Sequence, residues 1–230
     1  MSTILEWKAR QLVERTAISD WLPYEAWDDS NQVYRLDDGR IGVVFASKPL
    51  LGLSEESIQK LTNLFESDLP VGTTFQFMLH ASPVIEPYLD NHVVLAQRGQ
   101  AGERYVTDAR KTAEFYLRAR DTQLTSNPPL RPRDFTVYVS VTFPTQETTA
   151  QGWDDERIHQ AVSSIEGQLN TLGLLPERVG PLQLLGLLHV LLNPSHSWDS
   201  RPPAYSDQLP IRDQAVRLDT KATLRTKMIE

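Results

Sequence analysis

The sequence predicts an α+β fold: a small, mostly antiparallel or mixed sheet of about four strands, with helices stacked on one face and a helical-hairpin insertion. Three observations predict it. Strand-type alternation occurs in three separate places, around Asp38-Gly39, at residues 73–80 and at residues 135–143. The helical stretches between them are unequal, and regular βα alternation is missing, which argues against a doubly wound fold. From Val84 to about Leu124 there is no alternation, and Gly99 and Gly102 are the only glycines.

Each element has a local reason. Residues 3–18 read as an amphipathic helix with Leu5, Trp7, Leu12 and Val13 as apolar contacts, and Pro23 stops any helix. "VYRL" and "IGVVF" flank Asp38-Gly39, a dipeptide suited to the positive backbone angles of a tight turn, so strands are predicted over 32–36 and 41–46. Ser54 is the N-cap of a helix with Glu55 and Glu56 in its first turn, where the helix dipole favours acid, and Ile58, Leu61, Leu64 and Phe65 form its apolar face. Phe75, Phe77 and Leu79 fall on one side of a third strand. Helices over 84–98 and 103–124 form the insertion. "FTVYVSVTF" sends Phe135, Val137, Val139, Val141 and Phe143 one way and Thr136, Tyr138, Ser140 and Thr142 the other. Asp154 or Asp155 opens a helix whose Ile158, Val162, Ile165, Leu169 and Leu172 step by four and three. A last helix starts at Pro181 and stays apolar to Leu192, so Leu182, Leu185 and Leu188 are expected to be buried. The domain is read as residues 1–193. Residues 194–230 are read as a Pro-rich linker and charged tail.

Composition narrows the chemistry. The 230 residues carry 23 basic and 30 acidic side chains, a net charge of −7, and no cysteine. Thiolate metal sites and disulfides are therefore excluded, and a dedicated DNA-binding domain is disfavoured, because phosphate binding needs a positive field. The first ten residues lack the apolar run of a signal peptide, and the longest apolar stretch, residues 181–192, spans only about 18 Å as a helix. A soluble chain is expected. None of the eleven glycines precedes a lysine, so there is no phosphate loop, and neither GxGxxG nor GxSxG occurs. The five histidines show no metal-ligand spacing. No catalytic residue, metal ligand or cofactor is expected.

Two features remain. Trp21, Tyr24 and Trp27 stand beside Glu25, Asp28 and Asp29. They read as packing for the incoming segment, as aromatic interface anchors, or as a pocket for a sugar or small-molecule enzyme. Between Arg98 and Arg133 lie eight basic residues, Arg98, Arg104, Arg110, Lys111, Arg118, Arg120, Arg131 and Arg133, against four acids, with Tyr105, Phe115 and Tyr116 interleaved. This arm reads as a contact for acidic lipid, an acidic partner or nucleic acid. The plainer reading is a solvated helix face with ion pairs such as Glu114 to Arg118.

The order of these features has a family counterpart. Leu22-Pro23-Tyr24, the Asp38-Gly39 hairpin, Gly42 in its second strand, Leu69-Pro70 with Gly72 before the third strand, and downstream "FTVYVSVTF" and "PPAYSDQLP" mark out most of residues 18–210. This pattern resembles the amino-terminal region of TraC, the F-type relative of the VirB-family ATPases of type IV secretion. The resemblance implies a docking domain ahead of a RecA-like motor whose Walker motifs lie outside this sequence. It implies a cytoplasmic location peripheral to the inner membrane. The implied partners are subunits of the inner-membrane secretion complex, the protein's own motor domain, further copies in the full-length form, and the membrane surface. Nucleic acid is not an expected partner.

Overall fold

The computed structural model describes residues 18–216, apart from 51, 53, 67, 100, 101, 147–152 and 193–203. The helix expected over 3–18 therefore lies outside the described residues except at its last position, as do residues 194–203 and 217–230 of the expected linker and tail.

After a single 3-10 turn at Ser19–Trp21, β1 (Tyr24–Asp28), β2 (Val33–Leu36) and β3 (Ile41–Ser47) form a meander. Gly39 takes φ 78° in the β2–β3 turn, the left-handed conformation that its Asp-Gly sequence anticipates. Helix α1 (Glu55–Phe65) follows, its Ser54 Oγ accepting from the Ser57 N–H at 3.1 Å. Then come β4 (Thr74–Ser82), α2 (Glu86–Arg98) and α3 (Glu103–Thr122). The short pair β5 (Thr125–Ser126) and β6 (Pro129–Leu130) leads into β7 (Asp134–Phe143). Helix α4 (Asp155–Thr171) is capped by Asp154, which accepts from the Arg157 N–H at 2.9 Å. The last described elements are β8 (Glu177–Arg178), α5 (Pro181–Leu192) and α6 (Ile211–Ala215).

The fold is α+β with an antiparallel sheet, as the sequence predicts. The main sheet has six strands, where about four were expected, in the order β1-β2-β3-β7-β4, with β8 added beside β3. Strand β1 escapes a period-two reading because its pairing slips between Tyr24 and Ala26. This bulge puts Tyr24 opposite Leu36 and Trp27 opposite Tyr34, so two aromatics three residues apart reach the same face.

Helices cover both faces of the sheet, not one. On the first face Ile41, Val43, Phe45, Val139, Val141 and Phe143 meet Leu64 of α1 and the stripe Ile158, Val162, Ile165, Leu169 and Leu172. On the second, Tyr34, Leu36 and Val44 meet Val179, Leu184, Leu185 and Leu188 of the β8–α5 segment and Ile211 and Ala215 of α6. Residues 211–215, expected within the linker and tail, thus close this second core. Within α5, Leu185 and Leu188 are buried as expected, but Leu182 is 52% exposed, because α5 covers the sheet with one face only.

The Tyr34 hydroxyl donates to Val179 O at 2.7 Å inside this second core, and burial pushes its pKa up. Tyr34→Phe keeps the ring packing but strands a buried carbonyl. It is expected to lower stability by about 1–2 kcal/mol, read as a lower urea midpoint with unchanged slope.

Candidate docking site

The acidic-aromatic cluster is built into the fold in separate pieces. Tyr24 and Trp27 pack on Tyr34 with ring centroids 5.7 and 4.7 Å away, which makes them part of the second core. Trp21 is left 46% exposed. Glu25 pairs with Arg212 of α6 at 3.2 Å, and the same guanidinium lies 3.3 Å from Asp37. Asp29 accepts from the Trp27 indole N–H at 3.3 Å. Asp28 caps its own turn, accepting from the backbone N–H groups of Ser30 and Asn31 at 3.0 and 3.2 Å and from the Asn31 side chain at 2.8 Å. Each carboxylate thus has a different structural partner.

The Asn31 side-chain bond, with the two backbone bonds, holds the Asp28 carboxyl below its ordinary pKa. A depressed carboxylate contributes stability above its unfolded value, about 3.9, and loses it as pH falls through the lower folded value. The stability gap between the wild type and Asp28→Asn is therefore expected to be full at pH 5 and to close toward pH 2. Urea midpoints measured across that range check it.

The basic residues belong to a different object. Helices α2 and α3 pack mainly on each other. Ala109 and Ala113 are buried between them, and Leu89, Val93 and Ala96 of α2 are half-buried. The small alanines let the helices approach closely. This arm joins the sheet at its base through polar links. Lys48 lies 2.6 Å from Asp134 and donates to the Tyr88 hydroxyl at 2.7 Å, while Tyr88 donates to Asp134 at 3.0 Å. The Asp134 bond first, and Tyr88 second, hold the Lys48 pKa above its ordinary value.

Two of the eight basic residues serve that base. Arg120 pairs with Glu86 across the two helices, and Arg133 donates to Arg120 O at 3.1 Å. The other six, Arg98, Arg104, Arg110, Lys111, Arg118 and Arg131, are exposed. Arg104, Lys111 and Arg118 are seven residues apart, so on a helix of 3.6 residues per turn they form one stripe drifting about 20° per step. Phe115 lies on the same outer face and is 51% exposed. Among the described residues no ion pair joins Glu114 to Arg118. The spacing of seven was visible in the sequence as a signal for this stripe. At the arm's base an open, mostly apolar hollow of about 320 Å³ is lined by Tyr88, Leu89, Tyr116 and Arg133, among others.

A family model described as TraC protein matches residues 18–229. The chain belongs to the TraC family. Its role is accordingly in conjugative transfer. No curated protein and no solved structure matches the chain. The match spans both cores, the α2–α3 arm and the α6 segment, so the arm lies within the TraC region. Among the described residues no helix is long and apolar enough to cross a membrane, and no three His, Asp or Glu side chains cluster as metal ligands.

Proposed function

We propose that this chain is a non-catalytic docking and assembly domain of a conjugative-transfer ATPase. It connects the motor to the inner-membrane secretion complex from the cytoplasmic side. The observation that carries this reading is the α2–α3 arm. It is a two-helix element held at its base by polar links, with a basic, aromatic-bearing outer face, in a protein of net charge −7. A helix pair that only completed a core would bury an apolar stripe against the sheet, yet α2 has no fully buried residue. Exposed Phe115, Tyr105 and Tyr88 suit anchoring in a partner, and the exposed arginines suit an anionic surface.

The test is co-sedimentation of the chain with inner-membrane vesicles that contain or lack the assembled secretion complex. Binding to bare vesicles is expected to be weak and to vanish between about 0.05 and 0.5 M salt, as screening predicts. Binding to complex-bearing vesicles is expected to persist. Equal sedimentation with both kinds of vesicle at every salt concentration would sink the docking reading.

A further inference from the structure

We propose that two copies of this chain pair edge to edge through β4, antiparallel across a two-fold axis at Met78, and so join their sheets into one. Strand β4 ends the sheet, and among the described residues no strand lies on its outer side. It pairs with β7 without a break over nine residues, from Thr74–Thr142 to Ser82–Asp134. Natural edge strands are normally protected from such pairing by charge, proline, a bulge or a cover. The opposite edge has these: β1 is bulged, carries Glu25 and Asp28, and is packed by α6. The β4 sequence TFQFMLHAS has no acid, lysine, arginine, proline or bulge.

The occupant follows from the register. A two-fold at Met78 puts Phe77 opposite the partner's Leu79, Phe75 opposite the partner's Ala81, Gln76 opposite the partner's His80 and Thr74 opposite the partner's Ser82. Apolar meets apolar on one face; on the other, polar meets polar on either side of Met78, which faces its own counterpart, and no like charges oppose. Burial holds His80 below its ordinary pKa, which disfavours its charged form. Phe77 and Leu79 are 47% and 61% exposed, and Phe65 of α1 stands against Phe75 and Phe77 at 5.6 and 6.1 Å, extending the same apolar face. Nine residues of strand run about 30 Å, and a strip about 20 Å deep covers both faces. That is roughly 600 Å² per copy, at the lower bound of what a specific dimer buries. Because one edge is defended, the pairing closes as a dimer and does not propagate as a filament.

The chain has no cysteine, so a single introduced thiol reports the register. Opposed residues on antiparallel strands have Cα atoms about 4.5–5.5 Å apart, within disulfide range. Sedimentation of the 230-residue chain is expected to show a dimer that grows with concentration. Under mild oxidation Met78→Cys is expected to cross-link to itself, and Val71→Cys, outside the strand, is not. Phe77→Glu or Leu79→Lys alone is expected to weaken the dimer about tenfold or more, and both in one chain to restore it, since each new charge then faces its opposite. A chain that stays monomeric throughout, or single substitutions without effect, overturns the proposal. Cross-linking of Met78→Cys to a different protein, with the chain itself monomeric, gives the edge to that partner and overturns it equally.

Discussion

Leu185→Ala is expected to lower the stability of the chain by about 2–5 kcal/mol, while Leu182→Ala, one turn earlier in the same helix, changes it by less than about 1 kcal/mol. The residue type is the same, so the difference comes from burial alone. Leu185 has no exposed surface and packs with Tyr34, Val44 and Ile211 in the second core. Truncation there removes the transfer free energy of three carbons and leaves a cavity that the sheet beneath cannot collapse into. Leu182 is half in water already, so truncation leaves no enclosed void. Urea unfolding of both variants, with the slope unchanged, makes the comparison. If the two cost the same, α5 does not sit on the sheet by the face described. The result also bears on α6, because Ile211 and Ala215 share that core. A large loss for Leu185→Ala with matching loss of protection at 211–215 would show that the segment after the proline-rich stretch folds with the body.

What the sequence disclosed follows from which interactions are local. The stripe Ile158 to Leu172 was readable because helix periodicity is a property of one segment, and all five residues are buried. The alternation of β7 was readable for the same reason, and Val139, Val141 and Phe143 are buried. Phe135, on the same side, is 42% exposed, because β7 outruns the helices that cover the sheet. Alternation gives the direction of a side chain, not what lies over it. Strand β1 was hidden by its bulge, and Ile211 by the composition around it, since four prolines between 194 and 210 read as linker. The strand order was beyond reach, because β7 enters between β3 and β4 from far along the chain. For that reason the unprotected β4 edge could not be seen either. The basic arm was legible as a charge excess and its helix ends were placed closely, but two of its arginines are structural, and only the folded hairpin separates them from the exposed six.

Reversing the exposed stripe, with Arg104→Glu, Lys111→Glu and Arg118→Glu combined, is expected to weaken association with anionic vesicles on the order of 100-fold or more at low salt. Each basic side chain near an anionic surface contributes about 1 kcal/mol, so losing three removes about 3 kcal/mol, and the introduced acids add repulsion. The three positions span about 21 Å along α3, so they can meet one flat surface together. Stability should change little, because all three are exposed and none is among the ion pairs that fix the arm's base. Arg120→Gln gives the opposite pattern. It breaks the link to Glu86 and loosens the hairpin, while removing no charge from the outer stripe. Circular dichroism and vesicle sedimentation on both variants separate the two roles. The triple variant should keep its fold and lose the vesicles. Arg120→Gln should lose thermal stability and keep vesicle binding per folded molecule. With bare vesicles any such contact is expected to fade as salt rises to about 0.15 M, where the Debye length is about 8 Å. Unchanged sedimentation of the triple variant with intact helicity would reduce the stripe to an ordinary solvated helix face and move the docking contact to the apolar hollow between Tyr88 and Tyr116.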